Sequence, residues 1–474
     1  MSASLTGSLT GSLAGSLAGV PPRPQPGTPR PYHFPAVHRH TVPNGVKVVV
    51  VPMPRLPIVT AMVYVDAGAN ADPAGEEGLA LLTASSLTEG IAGCEGTQLV
   101  ERFEQLGTVA SVWADWEGSY ARLTVLKEKL APALELLAEV LRAPTFPRRE
   151  VERLRDQRLA GLEQQLAEPR GLADERFDAF LYAPSMRYAR PVGGTPQTVP
   201  RLTRDGVAAF HARHYGPATT TLVLVGDLTP EAGVQLASTA FGGWAHAAVR
   251  GPAVHDTPAT IARRVVLVEK PDAPQSELRV GHVGVPRLHP DYLAIVVMNG
   301  LLGGFFSSRI NLNLREKHAF TYGASSSFDW RRAAGPFTVG TAVKTEVTGR
   351  ALEEILKEID AMRAAPPSAS ELALAADYLA GVFPLRFEST AAVAGTVAMA
   401  ESLGVPEDFY STYRERVRAL TADEVHAAAR THLHPDQLLV LAVGDSATVA
   451  PMLDEMGLGP VTRVAAEFDP TEAS

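Results

Sequence analysis

Two side chains in the second half of this 474-residue chain are of types that can donate hydrogen bonds to a carbonyl oxygen. The segment from Asn299 to Tyr322 reads NGLLGGFFSSRINLNLREKHAFTY and carries Arg315 and Tyr322 seven residues apart. An arginine holds several N–H donors in a fixed fork, which suits a peptide carbonyl. A tyrosine hydroxyl can donate to a carbonyl oxygen as that oxygen gains charge. Neither group can activate water. On residue types alone, the better reading is that Arg315 makes an ordinary helix-end ion pair and Tyr322 opens a strand.

Other groupings are poorer in chemistry. His33, His38 and His40 cluster near the N-terminus, and His211 and His214 stand at i, i+3 on a helix. A metal site needs three or four convergent ligands. Neither cluster has a nearby Cys or acidic partner, so both read as surface histidines. Ser85 and Ser86 lack a Gly-x-Ser-x-Gly elbow and a His–Asp partner, and read as small packing residues. Gly303-Gly304, with Phe305-Phe306, reads as a helix C-cap or kink before Ser307, in preference to a flexible ligand-touching loop.

The elements that must position these residues occur twice. Leu202 to Asp227 aligns without gaps on Leu420 to Asp445, at a constant offset of 218, with ten identities in 26 positions. Each copy reads as a helix, a His-x-x-Pro turn, and an apolar strand ending in Gly-Asp. The same offset lays the helix Leu134–Val140 on Leu352–Glu358, and the strand Lys47–Val51 on Val265–Glu269. An offset kept across four landmarks predicts two copies of one unit of about 200 residues. Strands and helices do not strictly alternate, and Val46–Pro52 followed by Ile58–Asp66 reads as a hairpin. The fold class is therefore α+β, with two homologous halves, each a largely antiparallel or mixed sheet with packed helices.

The expected organisation is a low-complexity, disordered tail over 1–36 and an N-terminal unit over 37–245. A linker over 246–262, a C-terminal unit over 263–462 and a short tail over 463–474 follow. Ser-Leu-Thr-Gly and Ser-Leu-Ala-Gly recur between Ser4 and Gly19, ahead of a Pro-rich stretch. That tail lacks the charged start and continuous apolar run of a signal peptide, and reads as a disordered extension or a mis-assigned start. Net charge of −9 argues against a nucleic-acid partner. No run of about 18 apolar residues is present, so no transmembrane segment is expected. The single cysteine, Cys94, excludes an intramolecular disulfide and suits a reducing compartment. The expected location is cytoplasmic, with the periplasm as the alternative.

The segment Gly78-Leu79-Ala80-Leu81-Leu82-Thr83-Ala84-Ser85-Ser86 follows a strand and a Gly-rich turn. It resembles the zinc helix of the pitrilysin, insulinase and mitochondrial-processing-peptidase family, whose members read G-L-A-H-x-x-E-H there. That motif works because i and i+4 share one helical face, so that two His hold zinc while the Glu activates water. Here the three degenerate positions are Leu81, Ala84 and Ser85. The family's third ligand, a Glu about 75 residues beyond, falls in the window Leu154–Glu163. That window offers only Asp156 and Glu163, on a charged helix that reads as a solvated face. No zinc is therefore expected on this chain.

The resemblance covers roughly 38 to 460 and implies halves that build half of a clam-shaped chamber. It also implies that Arg315 and Tyr322 bind the substrate backbone beside a zinc held elsewhere. The implied role is a non-catalytic subunit of a heterodimeric zinc metallopeptidase. Its partner would be a homologous subunit with intact H-x-x-E-H that supplies zinc, and its substrate an unfolded peptide. The alternative is a structural scaffold, or a peptide-binding protein of chaperone type, with the peptidase fold and no part in catalysis.

Overall fold

The computed structural model describes residues 30–252 and 262–466. Most of the expected N-terminal tail, most of the linker and the last eight residues lie outside the described residues.

Runs of β-branched and aliphatic residues set the central strands. Lys47–Pro52 reads KVVVVP and Thr220–Gly226 reads TTLVLVG, and apart from Lys47 and Pro52 every residue in them is buried. Continuous apolar runs of this kind belong to strands covered on both faces. The chain first forms β1 (His38–Thr41), β2 (Lys47–Pro52), β3 (Ile58–Val65) and α1 (Leu79–Ser86). A two-residue ladder of β4 (Gly90–Ile91) and β5 (Cys94–Glu95) leads to α2 (Thr97–Gln105), β6 (Ser111–Ala114) and β7 (Ser119–Leu126). Three helices follow, α3 (Leu130–Arg142), α4 (Arg148–Ala167) and α5 (Pro169–Leu181). The first half closes with α6 (Arg204–His214), β8 (Thr220–Gly226) and α7 (Pro230–Phe241).

The second half repeats the core order (two strands, a helix, two strands, a run of helices, a strand and a helix), with its edge strand last rather than first. It opens with β9 (Arg264–Glu269), β10 (Gln275–Val283), α8 (Tyr292–Asn299) and the short α9 (Arg309–Asn311). Next come β11 (Ala324–Phe328), β12 (Pro336–Lys344), α10 (Thr348–Ala364), α11 (Ala369–Val382) and α12 (Thr390–Leu403). The last elements are α13 (Phe409–Ala419), α14 (Ala422–His432), β13 (Leu439–Gly444), α15 (Ser446–Glu455) and β14 (Val461–Val464).

Each half carries a six-stranded sheet, in the orders β1-β2-β8-β3-β7-β6 and β14-β9-β13-β10-β12-β11. Both sheets are mixed. β2 runs parallel to β8 and β9 parallel to β13, while β3, β7, β10 and β12 pair antiparallel with their neighbours. The expected hairpin of Val46–Pro52 with Ile58–Asp66 is not formed, because β8 lies between the two strands and pairs with both. A short connection brought the strands close in sequence. The fully apolar β8 takes the central place instead, where its buried faces gain most.

The halves exchange helices. α5, from the first half of the chain, packs on β10 and β13 of the second sheet, and α12 packs on β3 and β8 of the first. One apolar core therefore joins Leu172, Phe177 and Leu181 of α5 to Val266, Leu439 and Leu441 of the second sheet. Side chains this buried each stabilise by roughly 1.5–3 kcal/mol. The helical stretch from Tyr292 to Lys317 has enough length and hydropathy to cross a bilayer by composition alone. It is broken at 305–308, and Ile295, Val297, Met298 and Leu302 are fully buried in the second half.

Candidate functional site

α1 is held by its own entry turn. Gly78 has φ +100°, a left-handed conformation that favours glycine, and a Cβ there would meet Gly193 at 3.1 Å. Asp72 accepts from the backbone N–H of Gly78 at 2.9 Å and of Ala80 at 2.7 Å, and pairs with Arg187 at 3.0 Å. Burial pushes the Asp72 carboxyl up to about 6, against the lowering pull of Arg187 and the two backbone donors.

This anchored helix presents the degenerate positions in two directions. Ala84 is fully buried in the first core. Leu81 and Ser85 are half-buried and line a cavity of about 300 Å³ together with Leu154, Arg155, Gln157 and Arg158 of α4. The fold thus still brings the zinc-helix positions opposite the third-ligand window. The donor set does not fit zinc. The cavity lining holds no His, Cys, Asp or Glu, and two guanidinium groups oppose a cation there. Arg158 Nε donates to the Gly193 carbonyl at 2.9 Å, while Asp156 turns outward to Arg155 at 2.8 Å. Glu163 is exposed and does not line the cavity. Ser86 is buried and donates to the Leu82 carbonyl at 2.7 Å, a packing arrangement.

Arg315 and Tyr322 flank one reversal of the chain. Residues 312–317 form a widened π turn, after which His318 N–H bonds back to Asn313 at 3.1 Å and Phe320 N–H to Leu314 at 2.9 Å. Ala319 sits at φ +54° in the middle of this reversal. Arg315 lies 3.6 Å from Glu316, an ion-pair distance beyond hydrogen-bond reach, and its guanidinium stacks over Phe306 at 4.6 Å. Its Nη1 is buried without a hydrogen-bond partner. Tyr322 is 95% exposed and stands two residues before β11, an edge strand of the second sheet. Phe306 and Leu312 are exposed on the same segment, so a part-exposed guanidinium, an exposed phenol and apolar side chains share it.

Gly303 closes the preceding π turn (Gly300–Gly304) against β11, where a Cβ would meet Ser326 Oγ at 2.4 Å and N at 2.6 Å. The Gly-Gly pair therefore serves packing, as a distorted helix end. Asn299 fastens the same place, accepting from Ser326 Oγ at 2.7 Å.

The reading of His211 and His214 as surface residues is wrong. His214 is only 5% exposed and bonds the Val249 carbonyl at 2.7 Å, and half-buried His211 bonds the Leu141 carbonyl at 2.8 Å. Burial lowers both pKa values, and each ring ties its helix to a neighbouring segment. His33, His38 and His40 are exposed.

Two groupings escaped the sequence because their members lie far apart in the chain. His432 meets Asp291 at 2.8 Å, and His289 Nδ1 accepts from Asp291 N–H at 3.1 Å, which joins α14 to the start of α8. The two imidazoles and the carboxylate group hold the two helices together, as a helix junction would. Arg331 and Arg332 reach from the second half into the first, to Asp178 at 2.8 Å and Asp66 at 2.7 Å respectively. No spacing in the sequence signals either.

Known proteins carry the same organisation. The family model described as "Insulinase (Peptidase family M16)" matches residues 47–189, and that described as "Peptidase M16 inactive domain" matches residues 201–379. An uncharacterized zinc protease of Streptomyces coelicolor is 22% identical over 401 residues, covering 83% of this chain and 86% of its own. A crystal structure described as a peptidase M16 inactive domain, from Pseudomonas fluorescens, is 30% identical with a TM-score of 0.80. It covers 86% of this chain and 98% of its own. A protease from Helicobacter pylori, at 18% identity and a TM-score of 0.81, covers 86% of this chain and all of its own, and shows the fold.

Proposed function

Because the chain belongs to peptidase family M16, we propose that it is a non-catalytic subunit of a heterodimeric zinc metallopeptidase. In this reading a homologous partner with intact H-x-x-E-H supplies the metal and the base. This chain completes the chamber and presents Arg315 and Tyr322 to an unfolded peptide. The single observation that carries the reading is the contrast between the two half-sites. At α1 every ligand position is replaced and guanidinium groups line the cavity, whereas Arg315 keeps a part-exposed guanidinium with no hydrogen-bonded carboxylate and Tyr322 is exposed.

Arg315 would hold a substrate carbonyl through its N–H fork. Tyr322 would donate to a carbonyl oxygen as it gains charge. Both α1 and Tyr322 lie beside edge strands, β6 and β11, whose free backbone groups suit an extended peptide added as a further strand. Such binding draws affinity from the backbone and little sequence preference from side chains.

The test is cleavage of a quenched, unstructured peptide by this chain, by an H-x-x-E-H homologue from the same organism, and by the two mixed. Activity that requires the mixture supports the reading. Full activity of the homologue alone, unchanged by this chain, sinks it and leaves a scaffold or peptide-binding role.

A further inference from the structure

The duplication produces a second cavity with different chemistry. α8 packs against α14 and β11 as α1 packs against α6 and β6, so the space beside α8 is the second-half counterpart of the degenerate zinc cavity. It measures about 420 Å³ and is bounded by α8, α11, α12 and α13. Its walls are aromatic, with Tyr292, Trp330, Phe409 and Tyr410 among them, and no Asp or Glu lines it.

One charge in that wall is uncompensated. Arg287 is 6% exposed, and its guanidinium carbon lies 3.7 Å over the Tyr292 ring and 4.4 Å from the Phe409 ring centre. The Tyr410 hydroxyl bonds to it, but no carboxylate forms an ion pair with it among the described residues. Ring faces offset only part of the cost of burying a cation, which a paired anion would remove. Arg386 adds a second positive group at an exposed position of the lining. Phe34 closes over part of the lining, stacking 5.1 Å from Tyr410 and meeting Phe387 at 5.0 Å. The N-terminal stretch before it contains no Asp or Glu over residues 1–29.

We propose that this cavity binds a carboxylate carried on an aromatic or aliphatic group, with Arg287 gripping the carboxylate and the aromatic walls enclosing the apolar part. That chemistry is offered by a peptide C-terminus ending in a large apolar residue, or by a free aromatic acid. Trp330 lines the cavity and provides a signal, isolated by comparison with Trp330→Phe.

The experiment titrates the full chain with N-acetyl-phenylalanine, its amide, and a pentapeptide ending in Phe as free acid and as amide. The expected result is saturable binding of the acids, with the amides at least about tenfold weaker. Arg287→Gln should weaken the acids by a similar factor and leave the amides unchanged. Arg386→Gln, at an exposed position that folding does not need, should weaken the acids in the same direction. A pentapeptide acid about tenfold tighter than N-acetyl-phenylalanine identifies the peptide terminus as the source, and equal affinities identify the small acid; both uphold the carboxylate site. Equal binding of acid and amide, or no acid binding up to about 10 mM, overturns it. No partner chain enters this test, so its result is separate from the subunit assignment.

Discussion

Arg332, in the second half of the chain, places its guanidinium 2.7 Å from Asp66 at the end of the first sheet's β3. The same side chain donates to the Ser402 carbonyl at 2.9 Å and lies 3.5 Å from Glu117, which is 6% exposed. One arginine thus compensates two sheltered carboxylates at the junction of the halves. Arg332→Ala should destabilise by about 2–3 kcal/mol, short of the full cost for a wholly buried pair because Arg332 keeps 31% exposure. Urea denaturation should show a lower midpoint at unchanged slope.

Acid should loosen the second half first. His282 is 1% exposed, and its Nε2 accepts from the His434 N–H at 3.2 Å, so a proton there breaks the bond. Burial lowers its pKa from 6.5 to about 3, with the backbone carbonyl of Val283 opposing and His434 adding to the drop. A histidine with a depressed folded pKa contributes stability that is complete above about 6.5 and declines as pH falls from there towards 3. Between pH 7 and pH 4.5 this one group should remove about 2–3 kcal/mol. His282→Gln should flatten that part of the stability profile, read from urea midpoints across pH.

Gly303→Ala should cost about 1–3 kcal/mol, because the added Cβ meets backbone and side chain of Ser326 below 3 Å and forces the π turn off β11. Thermal melts of the chain alone measure this. If the turn positions Arg315, the variant should also reduce activity of the mixed complex.

Restoring the lost motif should not restore a zinc site. Leu81→His with Ala84→Glu and Ser85→His places a carboxylate at a fully buried alanine and imidazoles beside Arg155 and Arg158. The buried carboxylate costs several kcal/mol unless it is paired. The triple variant should be less stable than the parent and hold well under one zinc per chain by elemental analysis.

Half of this structure was legible as residues. The offset of 218 carries α6 (204–214) on α14 (422–432), and the start of α3 at Leu130 on that of α10 at Thr348. It was visible because caps, His-x-x-Pro turns and apolar strands repeat locally. The degenerate positions were legible too, since Leu81 and Ser85 share a face at i, i+4 and do line one cavity. The insertion of β8 between β2 and β3, and the crossing of α5 and α12 onto each other's sheets, were not. Those pairings join segments more than 100 residues apart, and period and propensity say nothing about such distances. His214 looked solvent-facing at i, i+3 from His211, yet a carbonyl of the segment beyond the first half covers it. The cation of Arg287 was invisible for the same reason, because the aromatic rings that surround it come from α8 and α13.

The most direct test of the central claim uses the mixed complex with changes confined to this chain. Tyr322→Phe removes one hydroxyl from a residue that is 95% exposed, so the chain's own stability should stay within about 0.5 kcal/mol of the parent. If Tyr322 donates to the reacting carbonyl, peptide cleavage by the mixture should fall about 10²–10³-fold, with the loss in kcat. Arg315→Ala should act mainly through KM. Cleavage by the mixture that is unchanged in both variants, with the complex intact, would contradict the account.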